Sequence, residues 1–204
     1  MKKFTVCIVA VLFICNSSLG QEKKNPILFA EMVVGYSNGS IKGMTGMGSL
    51  NYQFNNNLLT FRSLEIIDNK KVGSLFFLPV LILEERLNEY SFLYGRRFVD
   101  ENSSMSYSVG IAYLKREFLL DDLSTIDNYD SLNYGKDSYI GLPFEFNIKW
   151  FNSKKERYRI YELIPVGKPV SFANSIGFKF YGTLSKTTFI GIGVSFGLGW
   201  HKEY

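Results

Sequence analysis

The chain has 204 residues, enough for one domain of ordinary size. Its residues are 46% hydrophobic and 16% aromatic, and this composition, rich in Phe, Tyr, Ile and Val, favours an all-β fold. The formal net charge of +4 is far below the basic excess of a nucleic-acid-binding protein. Nucleic acid is therefore not among the expected partners.

The first twenty residues have the three parts of a secretory signal peptide. Lys2 and Lys3 form the charged start, residues 6–15 the apolar stretch, and Ser18-Leu19-Gly20 a small-x-small cleavage site. We expect cleavage after Gly20, which leaves residues 21–204 as the mature domain. No later segment has the roughly 20 uninterrupted apolar residues that a membrane-spanning helix needs.

Both cysteines, Cys7 and Cys15, lie in the segment that we expect to be removed. The mature domain then has no thiol for a disulfide, a metal ion or nucleophilic catalysis. Lipid attachment at Cys15 is an alternative, but Ile14 precedes it where lipoprotein signals have a small residue. We expect neither a cofactor nor a bound metal.

The strongest signal is a two-residue period, because successive side chains of a β-strand point to opposite faces. Residues 105–113, 140–150 and 190–200 show it most clearly. In the last of these, apolar residues alternate with glycine or serine, and the apolar ones are Ile190, Ile192, Val194, Phe196, Leu198 and Trp200. Such lengths match tilted membrane-crossing strands, which are about twice as long as ordinary strands.

Weaker segments with the same period bring the expected number of strands to eight. These segments are residues 30–36, 50–54, 59–61, 90–94 and 176–180. Turn-forming residues separate the strands, as at Asn38-Gly39 and Asn55-Asn56-Asn57. Since an even number of antiparallel strands closes a single-chain bacterial barrel, we expect an eight-stranded antiparallel up-and-down transmembrane β-barrel.

The second face of these strands indicates which side meets lipid. It is mostly Gly, Ser and Ala, which suits the narrow interior of a membrane barrel better than the charged outer face of a soluble one. Aromatic rings favour the level of the lipid headgroups, and several lie at or near strand ends: Tyr36, Phe54, Tyr90, Tyr113, Trp150 and Trp200. Outer-membrane lipid and the barrel assembly machinery are the expected partners.

Several stretches resemble the small outer-membrane β-barrel proteins of Gram-negative bacteria. They are residues 89–96 (EYSFLYGR), 106–113 (SYSVGIAY), 140–145 (IGLPFE) and the glycine-alternating last strand. The resemblance implies a barrel in the cell outer membrane, and it supplies no catalytic or binding residues. The sequence departs from the plainer members of that family by a long insert after Trp150.

Six charged residues fall on the face that we expect to line the interior: Glu31, Arg62, Arg97, Glu145, Lys149 and Lys179. Charges in a confined interior persist only when they are paired, so we expect a polar network that fills the lumen. The alternative is the selectivity lining of a thin pore, for which eight strands leave little room.

The single histidine, His201, follows the last strand beside Trp200. We expect it to be interfacial, and no motif places a Ser and an Asp around it. A lipid-modifying enzyme would need a positioned nucleophile and base. We therefore expect no enzymatic activity and keep that enzyme as an alternative.

Three segments are expected outside the barrel wall. Residues 117–137 lack the ligand spacing of a calcium loop and should form an exterior loop, with contact to divalent ions or surface sugars as an alternative. Its aspartates are Asp121, Asp122, Asp127, Asp130 and Asp137. The basic insert at residues 151–169 should extend its flanking strands or, alternatively, dock a periplasmic partner. Residues 67–88 are expected to be a loop, unless the apolar run at 75–83 is itself a strand.

These features are compatible with three functions. The favoured one is a non-enzymatic integral outer-membrane barrel that serves envelope structure, surface contact or minor solute passage. The second is an outer-membrane lipid-modifying enzyme, and the third is a soluble, lipocalin-like barrel that binds an apolar ligand inside.

Overall fold

The computed structural model describes residues 27–75, 78–120, 133–152, 156–160, 164–170 and 172–201, with side chains described except at 70–81 and 156–172. The strands are β1 (Ile27–Gly39), β2 (Gly43–Phe54), β3 (Asn57–Leu75), β4 (Leu78–Val99), β5 (Ser103–Leu119), β6 (Tyr134–Phe151), β7 (Glu156–Ile160), β8 (Ile164–Val170), β9 (Phe172–Leu184) and β10 (Phe189–Trp200). None of these residues belongs to a helix long and apolar enough to cross a membrane.

Eight of the strands close into a barrel in the order β1-β10-β9-β6-β5-β4-β3-β2, and every pairing in it is antiparallel. Pairing of β1 with β10 joins the first strand to the last and leaves the barrel without an edge along that seam. The expected eight-stranded all-β barrel is therefore confirmed.

The two-residue period of the sequence returns as alternating burial along the strands. In β2, for example, every second residue from Gly43 to Gln53 is buried, and the residues between them are exposed. Met32 is paired with Phe196 on one side and Gly48 on the other, so outward residues meet outward residues. A slip of one residue would turn the apolar side chains inward, and the pattern therefore fixes the register.

The interior is layered along the barrel axis. We call the end that holds Ile27 and Trp200 the terminal end, and the opposite one, where β1 turns into β2, the loop end. Near the loop end, buried apolar side chains form a cluster that we call the loop-end plug: Val33, Ile41, Met47, Leu64, Ile66, Leu87, Ala112, Leu114, Tyr181 and Phe189. A smaller apolar cluster of Ile27, Phe29 and Leu58 lies near the terminal end. Polar side chains lie between the two clusters.

The expectation of a loop at residues 67–88 is wrong, because β3 continues to Leu75 and β4 begins at Leu78. The alternative, that the apolar run at 75–83 belongs to a strand, is confirmed for Leu75 and for residues 78–83. Pairing of the two long strands satisfies backbone N–H and C=O groups that a loop would leave to water. The last pair between β2 and β3 is at Ile67, and the last pair between β6 and β9 is at Leu142. The strands β3 to β6 therefore continue beyond their outer neighbours, and we call this part the β3–β6 extension.

The insert at residues 151–169 does not extend its flanking strands, so that expectation is also wrong. Strand β6 ends at Phe151, and β7 and β8 pair only with each other in a separate sheet. Proline has no N–H to donate to a ladder, and β8 contains Pro165 and Pro169, which makes it unsuitable as an internal barrel strand.

Candidate functional site

The most distinctive site is a group of charged side chains across the middle of the lumen. We call it the lumen cluster, and its members are Glu31, Arg62, Glu89, Glu145, Lys149 and Lys179. Each residue is at most 3% exposed. They come from strands β1, β3, β4, β6 and β9, and each lies at a position whose side chain points into the barrel.

Arg62 connects three strands of the barrel. Its Nη2 atom lies 2.5 Å from Oε1 of Glu89, and its Nη1 atom lies 3.5 Å from Oε2 of Glu145. Its Nε atom also donates a hydrogen bond of 3.1 Å to Oγ of Ser91. The planar guanidinium offers several donors in fixed directions, which suits a residue that must satisfy several acceptors at once.

Lys179 connects the remaining carboxylates. Its Nζ atom lies 2.8 Å from Oε2 of Glu31 and 3.3 Å from Oε2 of Glu145. Lys149 forms a further ion pair with Glu31. The lumen cluster thus has three carboxylates and three cations and no net charge, the balance that a desolvated site requires.

Arg97 lies apart from the lumen cluster, at the terminal end. Its guanidinium donates to Oε1 of Gln53 at 2.7 Å and to Oγ of Ser104 at 3.0 Å. It also lies over the rings of Phe29 and Phe151, 4.8 and 5.7 Å from their centroids. Hydrogen-bond acceptors and aromatic faces thus surround this buried cation. Of the six charged residues expected in the interior, the structure brings together five and places the sixth near the lumen entrance.

His201 lies inside the barrel, so the expectation of an interfacial side chain is wrong. The residue is 1% exposed, and its ring centroid lies 5.2 Å from that of Phe29 and 5.5 Å from that of Phe151. Among the described residues, no serine or aspartate is hydrogen-bonded to either ring nitrogen, as activation of a catalytic base would require.

Sequence reasoning missed Glu89, the main partner of Arg62. The side chains that point outward from β4 include Tyr90, Phe92 and Tyr94. Glu89 directly precedes Tyr90, so the same alternation predicts that its side chain points inward. The hydroxyl of Thr183, which donates to Glu89, was missed as well. A threonine carries no charge that would single it out from other inward positions.

A second set of ion pairs lies at the loop end. Arg86 pairs with Glu65, Arg116 with Glu85, Lys136 with Glu117 and Lys186 with Asp137. Lys136 lowers the pKa of Glu117, and Lys186 lowers the pKa of Asp137, in each case through a hydrogen bond and charge attraction.

The aspartates expected in the exterior loop fall mostly outside the part of the chain that the structure describes. Asp121, Asp122, Asp127 and Asp130 lie outside it, and Asp137 lies in β6. No group of three or more metal-ligating side chains occurs among the described residues.

Comparison with known proteins identifies the fold. No protein-family model matches the chain, and no curated protein matches it significantly. Neisserial surface protein A is 9% identical with a TM-score of 0.51, and the match covers 87% of this chain and 99% of that one. Ail of Yersinia pestis, in complex with the heparin analogue sucrose octasulfate, is 11% identical with a TM-score of 0.50 and the same coverage. The resemblance to small outer-membrane β-barrels is thus confirmed at the level of the fold.

Proposed function

We propose that the mature chain is an integral outer-membrane β-barrel without enzymatic activity, whose lumen is closed and whose role is envelope structure and surface contact. A signal peptide cleaved after Gly20 would direct it there. The observation that carries the proposal is the distribution of polarity: apolar side chains cover the outside of the barrel and paired charges fill its middle.

The exterior supports insertion into a bilayer. Ile140 and Met32 are 75% and 71% exposed, which would be unfavourable in water and is favourable against acyl chains. Rings line both ends of this surface, with Tyr52, Tyr94 and Trp150 toward the terminal end. Aromatic side chains are favoured where hydrocarbon gives way to headgroups.

The interior supports a closed lumen and argues against solute passage. A permeating solute would have to separate Arg62 from Glu89, neither of which is exposed, and then pass the loop-end plug. Eight strands enclose little more than the side chains themselves. We therefore favour structural and contact roles over passage.

Surface contact is assigned to the β3–β6 extension. It stands beyond the last β2 and β9 pairs and contains the exposed ion pair Lys136–Glu117, and its Asp137 pairs with Lys186 of the β9–β10 turn. With both termini in the periplasm, this extension would face the exterior of the cell.

The two alternatives fit the described residues less well. A lipid-modifying enzyme would need an accessible catalytic base, whereas His201 is buried between Phe29 and Phe151. A soluble, lipocalin-like binder would need an apolar interior, whereas the middle of this lumen carries the lumen cluster.

The test is expression of the full chain in a Gram-negative host. We expect the protein in the outer-membrane fraction, a new N-terminus at Gln21, and a band that changes mobility when the sample is boiled. Recovery as a soluble periplasmic protein without that shift would contradict the proposal. Purified protein in planar bilayers should give no stable conductance, and a steady open pore would contradict the closed lumen.

A further inference from the structure

The ion pair of Lys149 and Glu31 lies in surroundings that differ from those of a surface pair. The two residues are 2% and 3% exposed, and Nζ of Lys149 contacts Oε1 of Glu31. The ring of Phe29 covers another side of the amine, with its centroid 4.6 Å from Nζ. Each charge costs free energy in such a buried place. A reaction that removes both charges and releases water is therefore favoured here.

The two oxygens of the Glu31 carboxylate have different surroundings. Nζ of Lys179 lies 2.8 Å from Oε2, and Ser49 and Asn147 donate hydrogen bonds of 3.4 and 3.5 Å to the same oxygen. The opposite oxygen, Oε1, is the one that Lys149 contacts. Donors around Oε2 stabilise the negative charge that develops there when a nucleophile attacks the carboxyl carbon. The carboxylate is thus arranged for attack by the amine, with Oε1 as the leaving oxygen.

We propose that Lys149 and Glu31 condense to an intramolecular amide bond, an inference that goes beyond the proposed function and does not rest on the membrane location. The bond between Nζ and Cδ forms, and the bond between Cδ and Oε1 breaks. The amide nitrogen keeps one of the three ammonium protons, and Oε1 leaves as water with the other two. Oε2 becomes the carbonyl oxygen of the amide and keeps its donors. Atoms and charge balance without any other reactant.

Proximity and charge balance both favour this condensation. Groups held in contact within one molecule can react as if each were present at about 10⁵–10⁸ M. Once the amide has formed, Arg62 and Lys179 still face Glu89 and Glu145, so the lumen cluster stays without net charge. The amide joins β1 to β6, which are separated in the barrel by β9 and β10. It therefore ties the barrel covalently across its lumen.

Mass spectrometry of the full chain, expressed with its signal peptide and purified as a folded barrel, tests the proposal. We expect an intact mass lower than that of the unmodified mature chain by the mass of one water molecule. After unfolding and digestion with trypsin, the peptides of residues 25–42 and 137–154 should appear as one branched peptide. The second peptide spans Lys149, because trypsin does not cleave after an acylated lysine.

A chain that gives the heat-dependent gel shift of a folded barrel, but has its full mass and two separate peptides, would overturn the amide bond. The proposed function would be unaffected, since the ion pair alone also closes the lumen. The two proposals can therefore fail independently.

A matched pair of variants assigns the bond to Lys149. Lys149→Arg keeps a positive charge beside Glu31, but the delocalised, always protonated guanidinium is no nucleophile, so the mass deficit and the branched peptide should be lost. Lys186→Arg makes the same change in the exposed pair with Asp137, where Nζ lies 2.8 Å from Oδ2, and should keep both. A deficit that persists in Lys149→Arg would overturn the assignment.

Fragmentation of the branched peptide gives the answer even if Lys149→Arg does not fold. In the unaltered chain, the fragment masses should place the junction between the side chains of Glu31 and Lys149. A junction at any other pair of residues would overturn the proposal.

Discussion

The same kind of ion pair occurs in two very different places in this molecule. Arg62 and Glu89 pair in the lumen, where neither side chain is exposed, and Arg86 and Glu65 pair at the loop end, where the exposed fractions are 43% and 35%. In the lumen, loss of one partner leaves a charge without water, whereas at the surface water replaces the partner. Burial, rather than the chemistry of the pair, decides how much each pair contributes.

The two sets also differ in what they connect. The surface pairs join neighbouring strands, as Lys136 of β6 and Glu117 of β5 do. In the lumen, Arg62 and Glu145 are 83 residues apart in the chain and come from strands that are not hydrogen-bonded to each other. The lumen cluster therefore stabilises the closed barrel across its width, whereas each surface pair stabilises only neighbouring parts of the loop end.

The largest expected effect follows from removing one buried partner. Arg62→Ala leaves Glu89 without its guanidinium partner and Glu145 with one cation fewer. We expect a loss of about 3–5 kcal/mol in the free energy of unfolding. Urea titration in vesicles, followed by the gel shift of the folded barrel, measures it.

A matched double variant tests the cause. Arg62→Met/Glu89→Gln removes one charge of each sign and leaves Glu31, Glu145, Lys149 and Lys179 balanced. It should recover at least half of the stability lost in Arg62→Ala. If the double variant is as unstable as the single one, packing of the Arg62 side chain and not charge balance is responsible.

The second effect concerns a charge placed on the outer surface. Met32 is 71% exposed in the middle of β1, so Met32→Lys places an ammonium against acyl chains. We expect a loss of about 2–4 kcal/mol in vesicles. The same charge in the exposed β1–β2 turn, Ser40→Lys, should change little. Equal stability of the two variants would contradict a lipid-facing surface.

The third effect is smaller because it concerns an exposed pair. Glu65→Gln removes the partner of Arg86 at the loop end. The expected loss is below about 1 kcal/mol and should shrink further as salt is added. A loss as large as that of Arg62→Ala, measured by the same titration, would mean that burial does not separate the two sets.

Strand number and the direction of most side chains could be predicted from the sequence, because alternation records which residues point into the barrel and which point out of it. This was possible for Glu31, Glu145 and Lys179, because each lies between two apolar residues of a segment with the two-residue period. It failed at residues 67–88, where polar residues occupy the consecutive positions 68–71 and apolar residues the run 75–83, so that no period of two marks the strands.

The composition of the lumen cluster could be predicted only in part. Alternation tells which face a side chain occupies and says nothing of its height along the barrel axis, which depends on strand register. Arg97 and Arg62 share the inward face, yet one lies near the terminal end and the other in the lumen cluster. Register is set by pairing between strands far apart in sequence, so a single strand read alone does not contain it.

The smallest expected effect concerns the exposed ion pair of Lys136 and Glu117. Lys136 lowers the pKa of Glu117 below its usual value of 4.5, so this carboxylate adds stability above that pH, and the contribution is lost as the pH falls through the lowered pKa. Since the pair is exposed, we expect the pKa of Glu117 to rise toward 4.5 in Lys136→Gln with almost no change in unfolding at neutral pH. Carboxyl NMR titration of the two proteins measures the shift. A marked loss of stability at neutral pH would show that the β3–β6 extension depends on its surface pairs as the lumen depends on its buried ones.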